Sequence, residues 1–225
     1  MDSLVFLDVE TTGLNGNAER VIEIYMLKVY KDGSYEEFAS FIDPERPIPR
    51  RITEITGITE QDVKGAPTEH DVAPKIRSFI GEGTPVAHNL PFDMQFLQAM
   101  FRRQNLPVIK RRGIDTLKLS RTVFPKLCIY PDGGGSHKLK NLMYHLGLDQ
   151  SFANSHRAKD DVLLLTQVYR HLQELADGTY GMSFPEPVTH GCPQCGRAML
   201  VAVDDDGGIT LRCVQPKGCG TEMAI

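Results

Sequence analysis

The chain has 225 residues, of which 41% are hydrophobic and 24% are charged, and its formal net charge is -4. This size suits one medium globular domain with a small second unit, and the acidic balance provides no overall positive field of the kind that attracts nucleic acid. The sequence lacks an apolar run of about 18 residues and shows no signal-peptide pattern, so we expect a cytoplasmic protein with no membrane partner.

Apolar runs and turn-forming residues predict a mixed α/β fold with the first strand at its centre. The predicted elements, in chain order, are a strand from Leu4, strands over 21–30 and 35–42, helical turns over 52–57 and 59–63, a helix over 70–80, a strand over 85–89, a helix from Pro91 to about 105, a final strand over 106–109, and helices over 115–124, 138–146 and 158–178. The glycine-rich residues 131–136 predict a flexible loop.

Two acids, Asp8 and Glu10, lie two residues apart near the end of the first strand. Side chains alternate along a strand, so both carboxylates leave the sheet on one face and repel each other unless a cation lies between them. Alternatively, they are ordinary strand-end acids that reach water. Two more acids, Asp93 and Asp161, share their helix faces with apolar residues and therefore point inward, where an unpaired carboxylate is costly.

These four carboxylates predict a site for divalent cations. Oxygen ligands favour the hard ions Mg²⁺ and Mn²⁺ over zinc and copper. Two such ions can hold a phosphodiester, activate a water molecule and stabilise the leaving 3′ oxygen. His156 lies just ahead of the helix that carries Asp161. Because a histidine side chain ordinarily titrates near the operating pH, we predict that His156 is the general base for that water.

Three motifs in order resemble the DnaQ-like exonucleases of the DEDDh type, over roughly residues 4 to 176. They are Phe6 to Leu14, His88 to Asp93 and His156 to Asp161. The resemblance implies a ribonuclease H-like fold, a mixed five-stranded sheet flanked by helices, and 3′-to-5′ release of nucleoside monophosphates. It also implies the site roles: metal ligands Asp8, Glu10, Asp93 and Asp161, general base His156, and substrate contacts Thr11, Gly13, Leu14, His88 and Asn89, with Leu14 wedged against the terminal base.

The end of the chain predicts a second unit. We place the exonuclease domain at residues 1–178, a linker at 179–189 and a small module at 190–225, which resembles the zinc ribbons appended to bacterial topoisomerases. Its cysteines are predicted to bind one structural Zn²⁺: Cys192, Cys195, Cys213 and Cys219. A module of about 35 residues with few large apolar groups needs such a metal because it cannot bury enough core.

Other functions fit parts of the pattern. An enzyme with these motifs could trim RNA instead of DNA, since no motif reports the sugar. A non-catalytic adaptor could bind nucleic acid through the same fold, but clustered carboxylates oppose phosphate binding in a protein that holds no cation. The expected partners are nucleic acid with a free 3′ end, which we expect to be DNA, and a polymerase or another replication or repair protein.

Overall fold

The computed structural model describes residues 3–124, 137–148 and 156–176, together with three short strands at 199–203, 209–213 and 222–224. The larger part contains a five-stranded sheet flanked by helices. Its strands are β1 (Ser3–Thr11), β2 (Val21–Tyr30), β3 (Tyr35–Phe41), β4 (Thr84–Ala87) and β5 (Ile114–Asp115). Its helices are α1 (Arg50–Thr56), α2 (Glu60–Val63), α3 (Glu69–Ile80), α4 (Leu90–Arg103), α5 (Thr116–Val123), α6 (Leu139–His145) and α7 (Ala158–Ala176).

The strand order is β3-β2-β1-β4-β5, so β1 is central, as predicted. β1 pairs antiparallel with β2 along its whole length and parallel with β4 at Leu4 to Phe6. The chain then leaves β4 through Asn89, which has a positive φ of 73°, and enters α4 with Pro91 in its first turn. Among the described strands, none pairs with the β4 side of β1 beyond Phe6.

The two faces of β1 pack against different helices. Val5, Leu7 and Val9 lie in a buried apolar cluster with residues of α3 and α4, whereas Phe6 packs with residues of α7. This alternation places every even-numbered residue of β1 on the α7 face. Asp8 and Glu10 therefore leave the sheet on the side that α7 covers.

Most predicted elements agree with the structure, but the strand predicted over residues 106–109 is wrong. The strand that pairs with β4 is Ile114–Asp115. Residue Ile109 is held by a side chain instead, since its N–H donates to Oε1 of Gln98 (3.1 Å) and its carbonyl accepts from Nε2 of Gln98 (2.6 Å). Backbone groups that a glutamine satisfies in this way need no strand partner.

The C-terminal region contains a second, three-stranded antiparallel sheet of β6 (Met199–Val203), β7 (Ile209–Cys213) and β8 (Glu222–Ala224). In this module the sequence predicts two strands, over 199–203 and 209–212, which correspond to β6 and β7; β8 was not predicted. Cys213 is the last residue of β7. The other three predicted zinc ligands, the linker at 179–189 and the glycine-rich loop lie outside the described residues.

Candidate active site

Three acids from two elements meet above the α7 face of β1. Asp8 and Glu10 come from β1, and Asp161 comes from the first turn of α7, where it is buried. Each offers a carboxylate oxygen, and these oxygens all lie within 4.8 Å of one another. Residues of α7 pack against Phe6 in one buried cluster, and this packing brings the first turn of α7, with Asp161, next to β1.

Asp93 reaches the site from the other helix layer. It lies in the first turn of α4, its residue is only 2% exposed, and its Oδ1 accepts the N–H of Val9 at 3.3 Å. This N–H is available because β1 has no β4 partner beyond Phe6. Because β4 does not pair with this part of β1, the carboxylate of Asp93 can approach the strand from the α4 side, close to the acids on the α7 face.

The acids strongly perturb one another. Burial, followed by the charges of Asp161 and Glu23, raises the pKa of Asp8 to about 8. Burial and then Asp8, Asp161 and Glu23 raise the pKa of Glu10 to about 9, against the opposing charge of Arg157. Burial and Asp8 also raise the pKa of Asp93. With pKa values raised this far, Asp8 and Glu10 keep their protons at neutral pH unless cations neutralise the cluster. The ligand atoms on offer are all carboxylate oxygens, which fit Mg²⁺ or Mn²⁺.

Glu23 lies beside the acid cluster, and the sequence analysis did not identify it. It lies opposite Glu10 in the β1–β2 pairing. Its carboxylate accepts Nη2 of Arg157 at 2.8 Å, Nε of Arg157 at 3.1 Å and the N–H of Ala158 at 3.2 Å. Glu23 thus fixes the start of α7, the helix that carries Asp161. A single acid within the otherwise largely apolar run 21–27 was the available signal.

His156 lies two residues before α7, exposed and with a positive φ of 54°. Its neighbour Arg157 is held by Glu23, and the Arg157 guanidinium lies 5.3 Å from the ring centroid of Phe41. The backbone beside His156 is therefore anchored although its own side chain faces solvent. His156 thus lies exposed just before the helix whose first turn carries Asp161.

Three of the predicted substrate contacts lie where β1 ends: Thr11 is its last residue, and Gly13 and Leu14 lie in the turn that follows. The Thr11 hydroxyl is buried and donates to the carbonyl of Gly13 at 2.7 Å. A Cβ on Gly13 would lie 2.8 Å from Cγ of Glu19, so a larger residue would displace that side chain. Leu14 is 82% exposed. The turn therefore presents one large apolar side chain to solvent.

His88 and Asn89 have structural partners. Nδ1 of His88 lies 3.0 Å from the Thr116 hydroxyl, and its Nε2 donates to the carbonyl of His137 at 2.8 Å. Burial lowers the pKa of His88 to about 4, so the ring is neutral at pH 7. The Asn89 N–H donates to Asp115 at 3.1 Å. These contacts fix the turn that leads into α4, and Asp93 lies in the first turn of that helix.

A mixed five-stranded sheet with acids from β1 and α7 gathered at its central strand, and with the charge of Asp8 acting on Asp93 of α4, is typical of metal-dependent nucleases. Residues 5–169 match the model of the RNase_T exonuclease family, and the chain belongs to that family. The resemblance to DnaQ-like exonucleases is thereby confirmed.

Curated proteins also match this chain. The chain is 36% identical over 170 residues to the PolC-type DNA polymerase III of Clostridium perfringens, covering 75% of this chain and 11% of that protein. It is 33% identical over 173 residues to the corresponding protein of Mycoplasma genitalium, covering 76% and 11%. The chain thus spans about a tenth of the length of these relatives.

Among solved structures, E. coli exonuclease I in complex with a dT13 oligonucleotide superposes with a TM-score of 0.70 at 19% identity, covering 80% of this chain and 43% of that one. The zinc-bound form of the E. coli exonuclease I complex with single-stranded DNA gives a TM-score of 0.64 at 19% identity, covering 80% and 43%. At this identity the likeness shows the shared fold.

Proposed function

We propose that this chain is a metal-dependent exonuclease that removes nucleotides from the 3′ end of DNA and releases nucleoside 5′-monophosphates. The convergence of Asp8, Glu10 and Asp161 within 4.8 Å carries the proposal, because these acids lie in a chain of the exonuclease family. The relatives named as DNA polymerases and the fold neighbour in complex with dT13 support DNA, in single strands or at 3′ ends, over RNA.

The residues divide the chemistry between them. Asp8, Glu10, Asp93 and Asp161 would hold two Mg²⁺ or Mn²⁺ ions, which supply charge stabilisation at the scissile phosphate and its leaving 3′ oxygen. A ring nitrogen of His156 accepts a proton from water as the water oxygen bonds to phosphorus. The bond between phosphorus and the 3′ oxygen of the preceding nucleotide breaks, which frees a nucleoside 5′-monophosphate.

The polarity and the substrate are tested together with labelled oligomers. DNA and RNA of one sequence, each labelled at the 5′ end or at the 3′ end, are incubated with Mg²⁺ or Mn²⁺. We expect 5′-labelled DNA to shorten in one-nucleotide steps while 3′-labelled DNA releases its label at once as a mononucleotide. DNA that ends in a 3′-to-3′ inverted nucleotide is the matched control and should persist.

Each alternative gives a different result in this assay. Rapid loss of RNA with intact DNA would make the chain an exoribonuclease. Binding without cleavage in either metal would make it an adaptor. Early release of mononucleotide from the 5′ label would contradict the proposed polarity.

We further propose that residues 1–178 form the exonuclease domain, that 179–189 is a linker, and that 190–225 bind one structural Zn²⁺ through Cys192, Cys195, Cys213 and Cys219. Support comes from the cysteine pattern of the sequence, since four thiolates complete a tetrahedral shell and leave no position for a reactive water. On this basis the module holds nucleic acid or a partner protein and takes no part in hydrolysis.

Elemental analysis of the full-length chain should find one zinc per chain, and Cys195→Ser should lose it. A chain that ends at Pro187 should keep its cleavage rate on short oligomers but bind longer DNA more weakly, because only the module is removed. Circular dichroism serves as the control for folding of the shortened chain. Full-length protein without zinc, or a folded but inactive shortened chain, would contradict the assignment.

The relatives' name also supports a partner in DNA replication, and we propose a polymerase or another replication or repair protein in that role. Among the described helices, none is long and apolar enough to cross a bilayer. We retain the cytoplasm as the proposed location.

A further inference from the structure

The segment of residues 12–20 between β1 and β2, here called the Leu14 loop, is exposed at its tip yet held firmly at its base. The Thr12 hydroxyl donates to Oε2 of Glu19 at 2.6 Å and accepts the N–H of Arg20 at 3.0 Å. The Thr12 N–H also donates to the carbonyl of Arg20 at 2.8 Å. Leu14 therefore projects into solvent from a loop whose two ends are joined.

Helix α4 fixes the tip of the loop. Nε2 of Gln95 donates to the carbonyl of Leu14, and Oε1 of Gln95 accepts the N–H of Gly16, both at 3.3 Å. Gly16 lies so close to α4 that a Cβ would be 2.7 Å from the carbonyl oxygen of Gln95. Nη1 of Arg103 donates to the carbonyl of Gly16 at 3.0 Å. The backbone on both sides of Asn15 is thus bonded to one helix.

A partly buried ion pair holds Arg103 in place. Its Nε and Nη2 donate to the two carboxylate oxygens of Glu69, each at 2.7 Å, and Glu69 is only 6% exposed. Nε2 of Gln104 also donates to Glu69 at 3.3 Å. Paired geometry of this kind is needed to offset the desolvation of two charges. The ion pair lies among α3, α4 and the Leu14 loop, and it contributes no ligand to the acid cluster.

We propose that Gln95 and Arg103, with Glu69 behind them, are positioning residues that present Leu14 to the terminal base of the substrate. This inference rests on the proposed function. α4 also carries Asp93, so one rigid helix sets both the loop that meets the base and a carboxylate of the cluster that meets the phosphate. A loop ordered before binding loses less conformational freedom when the nucleotide arrives, which strengthens binding of the terminal nucleotide.

The same helix offers a matched control. Gln98 brackets residue Ile109 with two backbone hydrogen bonds, as Gln95 brackets the Leu14 loop, but the segment it holds is remote in sequence from the motifs. Gln95→Ala and Gln98→Ala each remove two hydrogen bonds of the same type. Only the first removes them from the loop that carries Leu14. Arg103→Lys is a second test variant, since it keeps a positive charge beside Glu69 but loses the Nη1 group that donates to the carbonyl of Gly16.

Steady-state cleavage of single-stranded oligothymidylate separates binding from chemistry. Losing two backbone hydrogen bonds at the loop should raise KM of Gln95→Ala about tenfold. We expect its kcat, and its hydrolysis of bis(p-nitrophenyl) phosphate, which has no base, to stay near wild type. Arg103→Lys should raise KM in the same direction, and Gln98→Ala should change none of these values. Leu14→Ala should raise KM as Gln95→Ala does, and the double variant should be no worse than either.

Several outcomes would overturn the inference. Equal changes in Gln95→Ala and Gln98→Ala, a fall in kcat without a rise in KM, or additive effects of Gln95→Ala and Leu14→Ala would leave the contacts a purely structural role. A wild-type chain that cleaves no oligomer would remove the proposed function and this inference with it. Normal wild-type cleavage with an unchanged Gln95→Ala variant would remove only the inference.

Discussion

Asp8→Asn should lower kcat for DNA by about 10³-fold or more, because charge stabilisation by a bound metal is worth several kcal/mol in a transition state. Asp8 offers a carboxylate oxygen within 4.8 Å of those of Glu10 and Asp161, and its charge also raises the pKa of Asp93, so it would be a central ligand for the bound cations. The amide keeps the shape of the side chain but removes its charge. Single-turnover cleavage of 5′-labelled DNA across a Mg²⁺ titration measures the loss.

The same substitution should stabilise the metal-free protein. The pKa of Asp8 is raised from 3.8 to about 8 in the folded chain. Between these values the unfolded chain has lost the proton that the folded chain keeps, so stability falls as pH rises through this window. In EDTA the melting temperature of the wild type should therefore decrease from pH 5 to pH 8, and Asp8→Asn should decrease less. Glu10 shifts in the same direction and should leave a residual decrease in the variant.

An acid with the opposite shift provides the control. Hydrogen bonds from Thr68 lower the pKa of exposed Asp71 in the capping box of α3. Asp71→Asn should lower the melting temperature at neutral pH and leave cleavage unchanged.

Added Mg²⁺ should stabilise the wild type and Asp71→Asn but not Asp8→Asn. An Asp8→Asn variant that cleaves within about tenfold of wild type would contradict the metal assignment.

Local patterns predicted the elements that position the acids. Apolar runs predicted the strands β1 and β2, and apolar residues at helical spacing predicted α7. Asp161 was placed on the same helix face as Leu165, and the structure buries both residues. The strand predicted at 106–109 is wrong because the backbone groups of this segment find other partners: the N–H and carbonyl of Ile109 bond to the side chain of Gln98, and the N–H of Leu106 bonds to the carbonyl of Phe101. An apolar run predicts that a segment is buried, but it does not predict which groups its backbone will bond to.

The contacts between elements could not be read from the sequence. Glu23 faces Glu10 only because of the β1–β2 register, and its bond to Arg157 spans more than half of the chain. Asp93 finds the N–H of Val9 only because β4 turns away after pairing with Phe6. Both contacts depend on where strands end and how they pair, and these are the least predictable features of a sequence.

His156→Ala should lower kcat by about 10² to 10⁴, the usual contribution of a positioned base, with little change in KM. The substitution should leave the fold intact, since His156 is exposed and the adjoining backbone is anchored through Arg157 and Glu23. Any histidine that acts as a base must be neutral, so the wild-type rate should fall toward acid pH at saturating Mg²⁺. In the variant this fall should be absent or displaced.

Imidazole in solution should restore part of the His156→Ala rate, because it can accept the proton that the missing side chain would take. His70→Ala is the matched control: His70 is also exposed, it lies on α3 beside Gln104, and its loss should affect neither rate nor rescue. Stopped-flow cleavage of DNA between pH 5 and pH 9 records both effects. A near-native rate with an unchanged pH profile would remove His156 from the role of base, and a defect cured by raised Mg²⁺ would place it in cation binding instead.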